Sequence, residues 1–516
     1  RTNLNIKFEV LLSDKLTLRL NPKFSYRRDT GAGGESIGSG GIIDALQYRP
    51  TNGLREFAFW DPSTVDPDEE ANFQYTNPKN DIQTNTQKRH SYDIINQAAL
   101  EWRPIKGLVL ETNFSYRMYF TDQNRFYGPL TKIGTSNNKL PVAQITNTHR
   151  EAYTWTNTVN YNFTLNNDHN FSALLGSEIQ SDQTKTTYQA NRYFPREISS
   201  DKALNNMTLG TPYSSTSELT TPIRQASFFG QLSWNYKHRY LAAATMRADG
   251  STKFAPGNQW GYFPSLSAAW SVTEEPWMKS VKWLNLLKIR ASWGLTGNNR
   301  IDNDMWRYLY SVSTSGGPGF GETTPNGEQY YSFGNGNKFT NEKIKWETNI
   351  KRNLAADISM FDGRLNITPE FYWNTTKDLL YLSDVPTTSG YTTQMRNIGK
   401  VSNRGAELSV NYDILRGSDY VLSANMTFGY NKFKVDKLNE TDNIIWDNNN
   451  RWSSSNSVST NDYCIKVGEE VGLLYGYVYD GLYSADEFDF DPNQNFLAVP
   501  KKGTVIMDGI FNDSQS

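Results

Sequence analysis

Apolar and polar residues alternate one for one along much of this chain. Between residues 420 and 430 the odd positions include Ser423, Asn425 and Thr427, whereas the even positions are Tyr420, Leu422, Ala424, Met426, Phe428 and Tyr430. Successive side chains of a β-strand point to opposite faces, so this pattern predicts a strand with one apolar and one polar face. The alternation recurs in about fourteen segments, near 2–12, 15–28, 88–103, 106–121, 149–166, 168–184, 219–237, 239–249, 260–273, 286–297, 343–360, 363–380, 401–415 and 419–434.

The connections between these segments alternate between short and long. The short connections are 13–15, 104–106, 166–168, 238, 362–363 and 417–418, and the long ones are 29–87, 122–148, 185–218, 298–342, 381–400 and 435 onward. The longest connection on the short side, 273–285, is predicted to hold a helical turn around Trp277 to Trp283. Many segments exceed the roughly 5–6 residues of a globular strand and suit an apolar band of about 25–30 Å. We therefore predict an all-β chain, part of a large antiparallel transmembrane β-barrel with long extracellular loops and short periplasmic turns.

Composition narrows the class of protein further. The chain has 516 residues, with 52 Lys plus Arg against 54 Asp plus Glu, and this balance argues against a nucleic-acid partner. A single cysteine, Cys464, excludes a disulfide framework within the chain. Aromatic residues make up 14% of the chain, which suits the two interfacial girdles of a membrane barrel.

Several motifs resemble those of the SusC/RagA-type TonB-dependent outer-membrane transporters of Bacteroidota. They follow the order of that family between about residues 223 and 483. The motifs are Arg247–Phe254 (RADGSTKF), Gly257–Ser265 (GNQWGYFPS) with Ala268–Trp270 (AAW), Leu287–Asn298 (LKIRASWGLTGN), Trp346–Thr348 (WET), Phe371–Leu380 (FYWNTTKDLL), Asn397–Glu407 (NIGKVSNRGAE) and Val467–Gly481 (VGEEVGLLYGYVYDG).

The resemblance implies a barrel of about 22 strands that is filled by a plug. Residues 1–516 would then be a partial barrel domain of about fourteen strands, with 435–516 as a long extracellular loop region. Both ends look cut, so we expect the plug and an N-terminal domain before Arg1 and the last strands after Ser516. The resemblance further implies import of an oligosaccharide or peptide across the bacterial outer membrane. Its expected partners are a SusD-like surface lipoprotein as lid, the TonB–ExbB–ExbD complex as energy source, and outer-membrane lipid.

Two groups of residues are candidates for the site. Aromatic rings in long loops stack on sugar faces or peptide side chains, and the alternative is that they pack the loops or a partner protein. These aromatic candidates are Trp60, Trp306, Tyr308, Tyr330, Tyr331, Trp446 and Trp452. Polar residues on the lumenal side are predicted to hydrogen-bond the plug, with substrate contact as the second interpretation. These lumenal candidates are Asn113, Arg117, Glu370, Asn374, Glu407 and Asn411.

Neither a catalytic nor a cofactor site stands out in the sequence. Carboxylate pairs such as Asp66 and Asp68 are typical of solvated loops, so we predict that the chain is not an enzyme. Asp489, Asp491 and Asn493 alternate as oxygen ligands do in a Ca²⁺ loop, but without the glycine and terminal Glu of an EF-hand; an acidic surface loop is the alternative. Two other functions stay open, a passive porin or adhesin-type barrel and a secreted carbohydrate-active β-enzyme.

Overall fold

The computed structural model describes residues 1–31, 83–308, 310–313, 332–335, 338–417, 419–438, 444–447, 463–474, 488–491 and 497–500. The chain divides into two compact units, Arg1–Asn439 and Glu440–Ser516. The first unit contains the large sheet. The second unit contributes short strands only, within its described part.

The strands of the first unit account for most of its described residues. In chain order they are β1 (Thr2–Asn5), β2 (Phe8–Ser13), β3 (Leu16–Leu20), β4 (Lys23–Gly31), β5 (Asn85–Trp102), β6 (Leu108–Tyr127), β7 (Val142–Leu165), β8 (His169–Arg192), β9 (Thr211–Leu219), β10 (Ile223–Tyr236), β11 (Tyr240–Ser251), β12 (Trp260–Ser271), β13 (Leu284–Asn298), β14 (Tyr310–Ser313), β15 (Ser332–Asn335), β16 (Lys338–Phe339), β17 (Glu347–Met360), β18 (Leu365–Lys377), β19 (Leu380–Asp384), β20 (Thr393–Asn397), β21 (Lys400–Arg416) and β22 (Val421–Lys437). Those of the second unit are β23 (Ile444–Asp447), β24 (Tyr463–Lys466), β25 (Leu473–Leu474), β26 (Phe488–Asp491) and β27 (Leu497–Pro500).

Helices are few and short. The α-helices of the described residues are α1 (Lys132–Ser136) and α2 (Ser200–Asn205), and the 3₁₀ turns are Met207–Leu209, Val272–Glu274 and Thr387–Ser389. None of the described helices has the length and apolar character needed to cross a membrane.

Seventeen of the described strands form one antiparallel sheet. Strands β3 and β4 lie end to end against β5, strands β9 and β10 lie end to end against β8, and β1 and β2 pair with β4 and β3. From β5 to β8 and from β10 to β13, each strand pairs with the next strand in the chain. The order of the sheet then continues β13–β17–β18–β21–β22. The seventeen strands thus occupy fourteen positions, which confirms the number of segments predicted from the alternating pattern.

Several predicted boundaries are wrong because the strands run further than the pattern does. Strand β6 continues to Tyr127, β7 starts at Val142 and β8 ends at Arg192, so the loops predicted at 122–148 and 185–218 are shorter. In this extension Asn124 pairs with Ile145 and Arg125 with Gln144. Polar side chains occupy both faces of the sheet there, so apolar and polar residues no longer alternate in the sequence. The backbone hydrogen bonds between the strands continue nevertheless. The predicted loop 381–400 likewise holds β19 and β20.

The short connections form tight turns along one edge of the sheet. Asn166 and Asn167 have φ of 51° and 59°, and Lys237 and His238 have φ of 49° and 59°. Two successive residues with positive φ define the type I′ turn, whose twist matches that of the flanking strands. These turns lie between directly paired strands, so the long connections fall on the opposite edge. The asymmetry predicted from the sequence is present in the fold.

One face of the sheet is a continuous apolar surface, here called the apolar face. In a row across four strands Leu232 pairs with Ala244, Ala244 with Leu266, and Leu266 with Trp293. Leu266 is 56% exposed and Met426 is 58% exposed. Exposed apolar surface of this extent is typical of contact with a membrane or a partner. The intervening residues form the opposite face, here called the polar face.

The longest short-side connection is anchored by one buried carboxylate. Around the helical turn predicted at Trp277–Trp283 the backbone forms hydrogen-bonded turns, in which Met278 N–H donates to the Glu275 carbonyl oxygen at 3.0 Å and Val281 N–H donates to the Met278 carbonyl oxygen at 2.9 Å. A 3₁₀ turn lies earlier, at Val272–Glu274. Immediately after it, Glu275 Oε1 accepts hydrogen bonds from Tyr240 Oη at 2.6 Å and Trp270 Nε1 at 3.1 Å, and Arg239 Nη1 lies 3.7 Å from Oε2. The Tyr240 and Trp270 hydrogen bonds hold the pKa of the Glu275 carboxyl below its usual range. This carboxylate ties the turn to strands β11 and β12.

We expect Glu275→Gln to change how stability depends on pH. Because the folded-state pKa lies below the ordinary value of about 4.3, the carboxylate stabilises the fold above that pH. The contribution is lost as pH falls through the folded-state pKa. Acid unfolding of the purified protein should therefore show wild type losing its advantage over Glu275→Gln as the pH falls below about 4.3. Glu274→Gln, at the exposed neighbouring position, is the control; a pH-independent difference for Glu275→Gln contradicts the assignment.

Candidate functional site

The lumenal candidates from the sequence all lie on the polar face of the sheet. Asn113 Oδ1 accepts a hydrogen bond from Gln97 Nε2 at 3.2 Å. Arg117 donates from Nε and Nη2 to the two carboxylate oxygens of Asp93, each at 2.8 Å. Both residues therefore join neighbouring strands, β5 and β6, through side chains. Their contact with a plug stays a prediction.

Glu370 and Glu407 face each other across strands β18 and β21. They are register partners on the polar face, and Asn353 Nδ2 donates a hydrogen bond to Glu370 Oε1. Like charges directly opposite each other are destabilising in a sheet. The two carboxylates would therefore be stabilised by an amide, a hydroxyl or a cationic group of a plug or substrate that contacts this part of the polar face.

The two remaining lumenal candidates are asparagines. Asn374 Oδ1 accepts a hydrogen bond from the backbone N–H of Arg352 at 3.2 Å, so its carbonyl is directed back to the strand edge. Asn411 lies opposite Asn366 on one side and Asn425 on the other. A row of three amides offers both donors and acceptors to a neutral ligand or to a plug.

An ion pair that sequence reasoning missed lies between the candidates. Arg290 of β13 donates from Nε to Asp357 Oδ2 at 2.8 Å and from Nη2 to Oδ1 at 2.9 Å. This bidentate geometry is the strong form of the arginine–carboxylate interaction. Both residues stand at polar positions of the alternating pattern. They are 67 positions apart in the sequence, so their pairing depends on the register of β13 against β17.

A cavity opens on the polar face beside this ion pair. Its volume is about 950 Å³, and its lining includes Ser233, Ser267, Ser292, Arg290 and Asn353. The cavity is at the upper end of the range of ligand pockets. Serine hydroxyl and asparagine amide groups share this lining with apolar residues such as Leu241 and with Lys106, and the charge of Arg290 is neutralised by Asp357. The surface is suited to hydrogen bonding with neutral, hydroxyl-rich molecules.

Two of the aromatic candidates lie in described parts of the long-loop side. Trp306 is half-buried against a core of Phe254, Ile301, Met305 and Ile344, and its Nε1 donates to the carbonyl oxygen of Thr252 at 3.2 Å. This packing supports the alternative role for Trp306, which is to stabilise the loops. Tyr308, two residues further on, is 58% exposed, and its contact with a ligand stays a prediction.

The other candidates lie largely outside the described residues. Trp60, Tyr330, Tyr331, Trp452 and Asn493 fall outside them. Trp446 lies in strand β23, and Asp489 and Asp491 lie in β26, which pairs with β27. Among the residues that the structure describes, no three His, Cys, Asp or Glu side chains are arranged to hold a metal ion. The Ca²⁺ site stays a prediction.

A large antiparallel sheet with a continuous apolar face and a hydrogen-bonding polar face defines the wall of a membrane β-barrel. The chain matches the family described as "TonB dependent receptor-like, beta-barrel" over residues 8–509. The chain belongs to this family, whose members are outer-membrane proteins and not enzymes. The apolar face is therefore the lipid-facing side, and the polar face lines the lumen.

Curated relatives carry receptor names. The chain is 29% identical over 523 residues to TonB-dependent receptor P39 of Formosa agariphila, which covers 98% of this chain and 46% of that protein. It is 34% identical over 261 residues to TonB-dependent receptor SusC of Bacteroides thetaiotaomicron, covering 49% of this chain and 25% of SusC. The chain spans about half the length, or less, of the curated relatives it matches.

Solved structures show the same fold. The RagAB peptide transporter superposes with a TM-score of 0.72 at 20% identity, covering 90% of this chain and 49% of that one. The RagAB peptide importer in its "closed-closed" state gives a TM-score of 0.71 at 19% identity, covering 98% and 53%. The alternating pattern and the resemblance to this family thus led to the correct fold.

We expect an arginine on the lipid-facing side to be far more costly than one in the lumen. Leu266 lies mid-strand on the apolar face, and Leu266→Arg should destabilise the protein in lipid vesicles by about 2–4 kcal/mol. The measurement is denaturant unfolding of full-length protein folded into vesicles. Thr245→Arg, one strand away on the polar face, is the matched control and should change stability much less. Equal losses for the two variants contradict the assignment of the faces.

Proposed function

We propose that this chain is the barrel portion of a TonB-dependent importer that carries oligosaccharides across the outer membrane. Membership in the receptor family supports the transport class, and the relative SusC supports the SusC-like subgroup. Peptides are the alternative substrate, because the RagAB proteins of the same fold are described as peptide transporters. The proposal includes a SusD-like lipoprotein as lid and the TonB–ExbB–ExbD complex as energy source.

The observation that carries the choice of substrate is the chemistry of the lumenal cavity. Ser233, Ser267 and Ser292 offer hydroxyl groups, and Asn353 offers an amide, around a charge that is already paired. Oligosaccharides present many hydroxyl groups without formal charge, so they match such a surface. A charged peptide gains little from Arg290, because Arg290 and Asp357 satisfy each other's charges.

The same surface suits a plug. A plug that hydrogen-bonds Glu370, Glu407 and the amide row would close the lumen while the protein is at rest. Each such bond contributes only about 0.5–1.5 kcal/mol net, because water replaces it when the plug moves. A plug that contacts the wall through many weak hydrogen bonds can therefore be remodelled by a mechanical pull. Substrate and plug would use the same groups in turn.

The long-loop edge is the side on which capture would begin. Tyr308 presents an exposed ring there, two residues after Trp306, which packs against the loop core around Phe254. A lid that closes over this edge traps substrate only if the closed state binds it more tightly than the open state. The SusD-like partner and the lumenal hydroxyl surface would together supply that difference in affinity.

Energy-dependent uptake tests this proposal. Cells of the source bacterium with and without the gene are given a labelled neutral oligosaccharide too large for passive porins. We expect accumulation inside the outer membrane to require the gene, to stop when a protonophore collapses the proton gradient, and to stop when TonB is deleted. Complementation with the wild-type gene should restore uptake.

Three outcomes separate the alternatives. Gene-dependent uptake that survives both the protonophore and the TonB deletion indicates a passive porin and contradicts the importer. Uptake of a labelled peptide mixture instead of the oligosaccharide, with the same energy dependence, contradicts the substrate and keeps the importer. Surface binding without accumulation indicates an adhesin-type barrel.

A further inference from the structure

Strands β5 to β9 continue beyond the apolar band on the long-loop side of the sheet. After Phe120, the next two outward positions of β6 are Asp122 and Asn124, and Asn147 of β7 is the register partner of Asp122. Polar side chains on the outward side are unsuited to hydrocarbon, so this part of the wall rises out of the lipid into water. Its inward side continues the polar face and borders the long-loop end of the lumen.

Two adjacent rows of side chains cross the polar face of this extension, and we call them together the vestibule rows. Each row follows direct register partners from β5 to β9. The row farther from the lipid is Gln87, Arg125, Gln144, Ala190 and Ser214, and the nearer row is Arg89, Gln123, Thr146, Tyr188 and Thr216. The vestibule rows contain two cations and no carboxylate, among amides, hydroxyl groups and one aromatic ring.

The two cations lie on neighbouring strands. Arg89 is the register partner of Gln123, and Arg125 is the partner of Gln87, so the two arginines are diagonal neighbours on one face. Diagonal neighbours of an antiparallel pair are about 7–8 Å apart, within reach of long side chains. Two like charges at this separation repel each other, and an anion bound between them removes the repulsion.

The guanidinium group of Arg89 is held by a neutral partner. Its Nη2 donates to Tyr119 Oη at 3.4 Å. The register partner of Arg89 on β4 is Asp29, but the Asp29 carboxylate accepts a hydrogen bond from Arg27 Nε at 2.8 Å. In the described part of the chain, Arg89 forms no ion pair.

Arg125 likewise contacts neutral groups. Its Nη1 donates to Tyr127 Oη at 3.4 Å. With its amide oxygen turned toward Arg125, Gln123 accepts from Nη2 at 2.8 Å and from Nε at 2.6 Å. Among the residues that the structure describes, no carboxylate pairs with Arg125. The amide fixes the guanidinium in place and leaves its charge uncompensated.

Arginines of the same face that lie closer to the short turns are neutralised. Arg117 forms a bidentate pair with Asp93, and Arg150 Nε donates to Asp182 Oδ1 at 2.9 Å. The polar face therefore changes character along β5 and β6, from paired charges in the lumen to uncompensated positive charge in the vestibule rows.

Two buried polar atoms of the vestibule rows add to this difference. Arg89 Nε and Gln87 Oε1 are shielded from solvent and have no hydrogen-bond partner among the described residues. A buried donor or acceptor without a partner costs free energy, so such atoms point to a polar ligand or ordered water. Both side chains are only half-buried as a whole, so a ligand that enters between the rows reaches them after a rotamer change.

We propose that the vestibule rows bind an acidic sugar residue of the oligosaccharide substrate, with its carboxylate between Arg89 and Arg125. This inference rests on the proposed function and adds a charged group to the substrate. Guanidinium groups bind a carboxylate through paired, charge-assisted hydrogen bonds. The Tyr188 ring and the Gln87 amide suit the sugar ring and its hydroxyl groups, which an acidic peptide lacks. The site favours acidic chains and does not exclude neutral ones.

Calorimetric titration of the full-length protein in detergent tests this site. The probes are oligomers of galacturonic, glucuronic and mannuronic acid, each compared at neutral pH with its uncharged methyl ester. We expect at least one acid to bind on the order of tenfold more tightly than its ester, because two or more charge-assisted hydrogen bonds distinguish them.

The outcomes separate this inference from the proposed function. If wild type prefers none of the acids over its ester, the inference is overturned, whereas the importer proposal stands on the uptake of neutral chains. If oligoglutamate binds more tightly than every oligosaccharide, both the acidic-sugar site and the proposed oligosaccharide substrate are overturned.

Matched variants locate the site on the wall. The double variant Arg89→Gln with Arg125→Gln should lose the preference for the acid, whereas Arg89→Lys with Arg125→Lys should keep part of it. Lys88→Gln with Lys185→Gln removes the same charge from the outward side of the same extension and should leave the preference unchanged. A wild-type preference in the first double variant, in protein that is folded by its heat-modifiable gel mobility, overturns the assignment to these arginines. Loss of the preference in the lysine variant overturns it as well.

Discussion

The fold depends on one constraint, that a strand in hydrocarbon must pair its backbone groups with neighbours and show apolar side chains to the lipid. Lipid offers no hydrogen bonds, so each unpaired N–H or C=O group costs several kcal/mol. An antiparallel sheet of fourteen strand positions satisfies the backbone. The two-residue period then places a hydrocarbon-compatible face on one side and leaves the other side free for polar chemistry.

The two faces therefore follow different electrostatic rules. On the lumenal side, cations such as Arg290 and Arg117 are neutralised by aspartates on neighbouring strands. On the lipid-facing side, the Arg352 side chain donates instead to neutral oxygens, the Trp373 carbonyl oxygen and Thr375 Oγ1. The Arg290 and Arg117 pairs satisfy their own charges, so the serine hydroxyl and asparagine amide groups near Arg290 supply the hydrogen-bonding surface there.

The sequence predicts most of the wall but only part of the site. Alternation gives the fourteen positions and their faces, because each strand meets lipid along one side. It loses β6 beyond about Phe120, where Asp122 to Arg125 put polar groups on both faces and only the backbone ladder marks the strand. The Arg290–Asp357 pair and the packing of Trp306 against Ile344 depend on register between distant segments, which no local pattern records.

The central claim is that the apolar rows face hydrocarbon, and a spin-label scan along β12 tests it most directly. Cys464 is the single cysteine of residues 1–516. Replacing it, and any cysteine outside these residues, by serine allows labels at each position from 261 to 270 of the full-length protein in lipid bilayers. Accessibility to oxygen, which concentrates in lipid, should peak at 262, 264, 266, 268 and 270, and accessibility to a water-soluble nickel complex should be low there. Even-numbered labels that are shielded from both reagents would show these rows packed inside a protein core and would contradict the account.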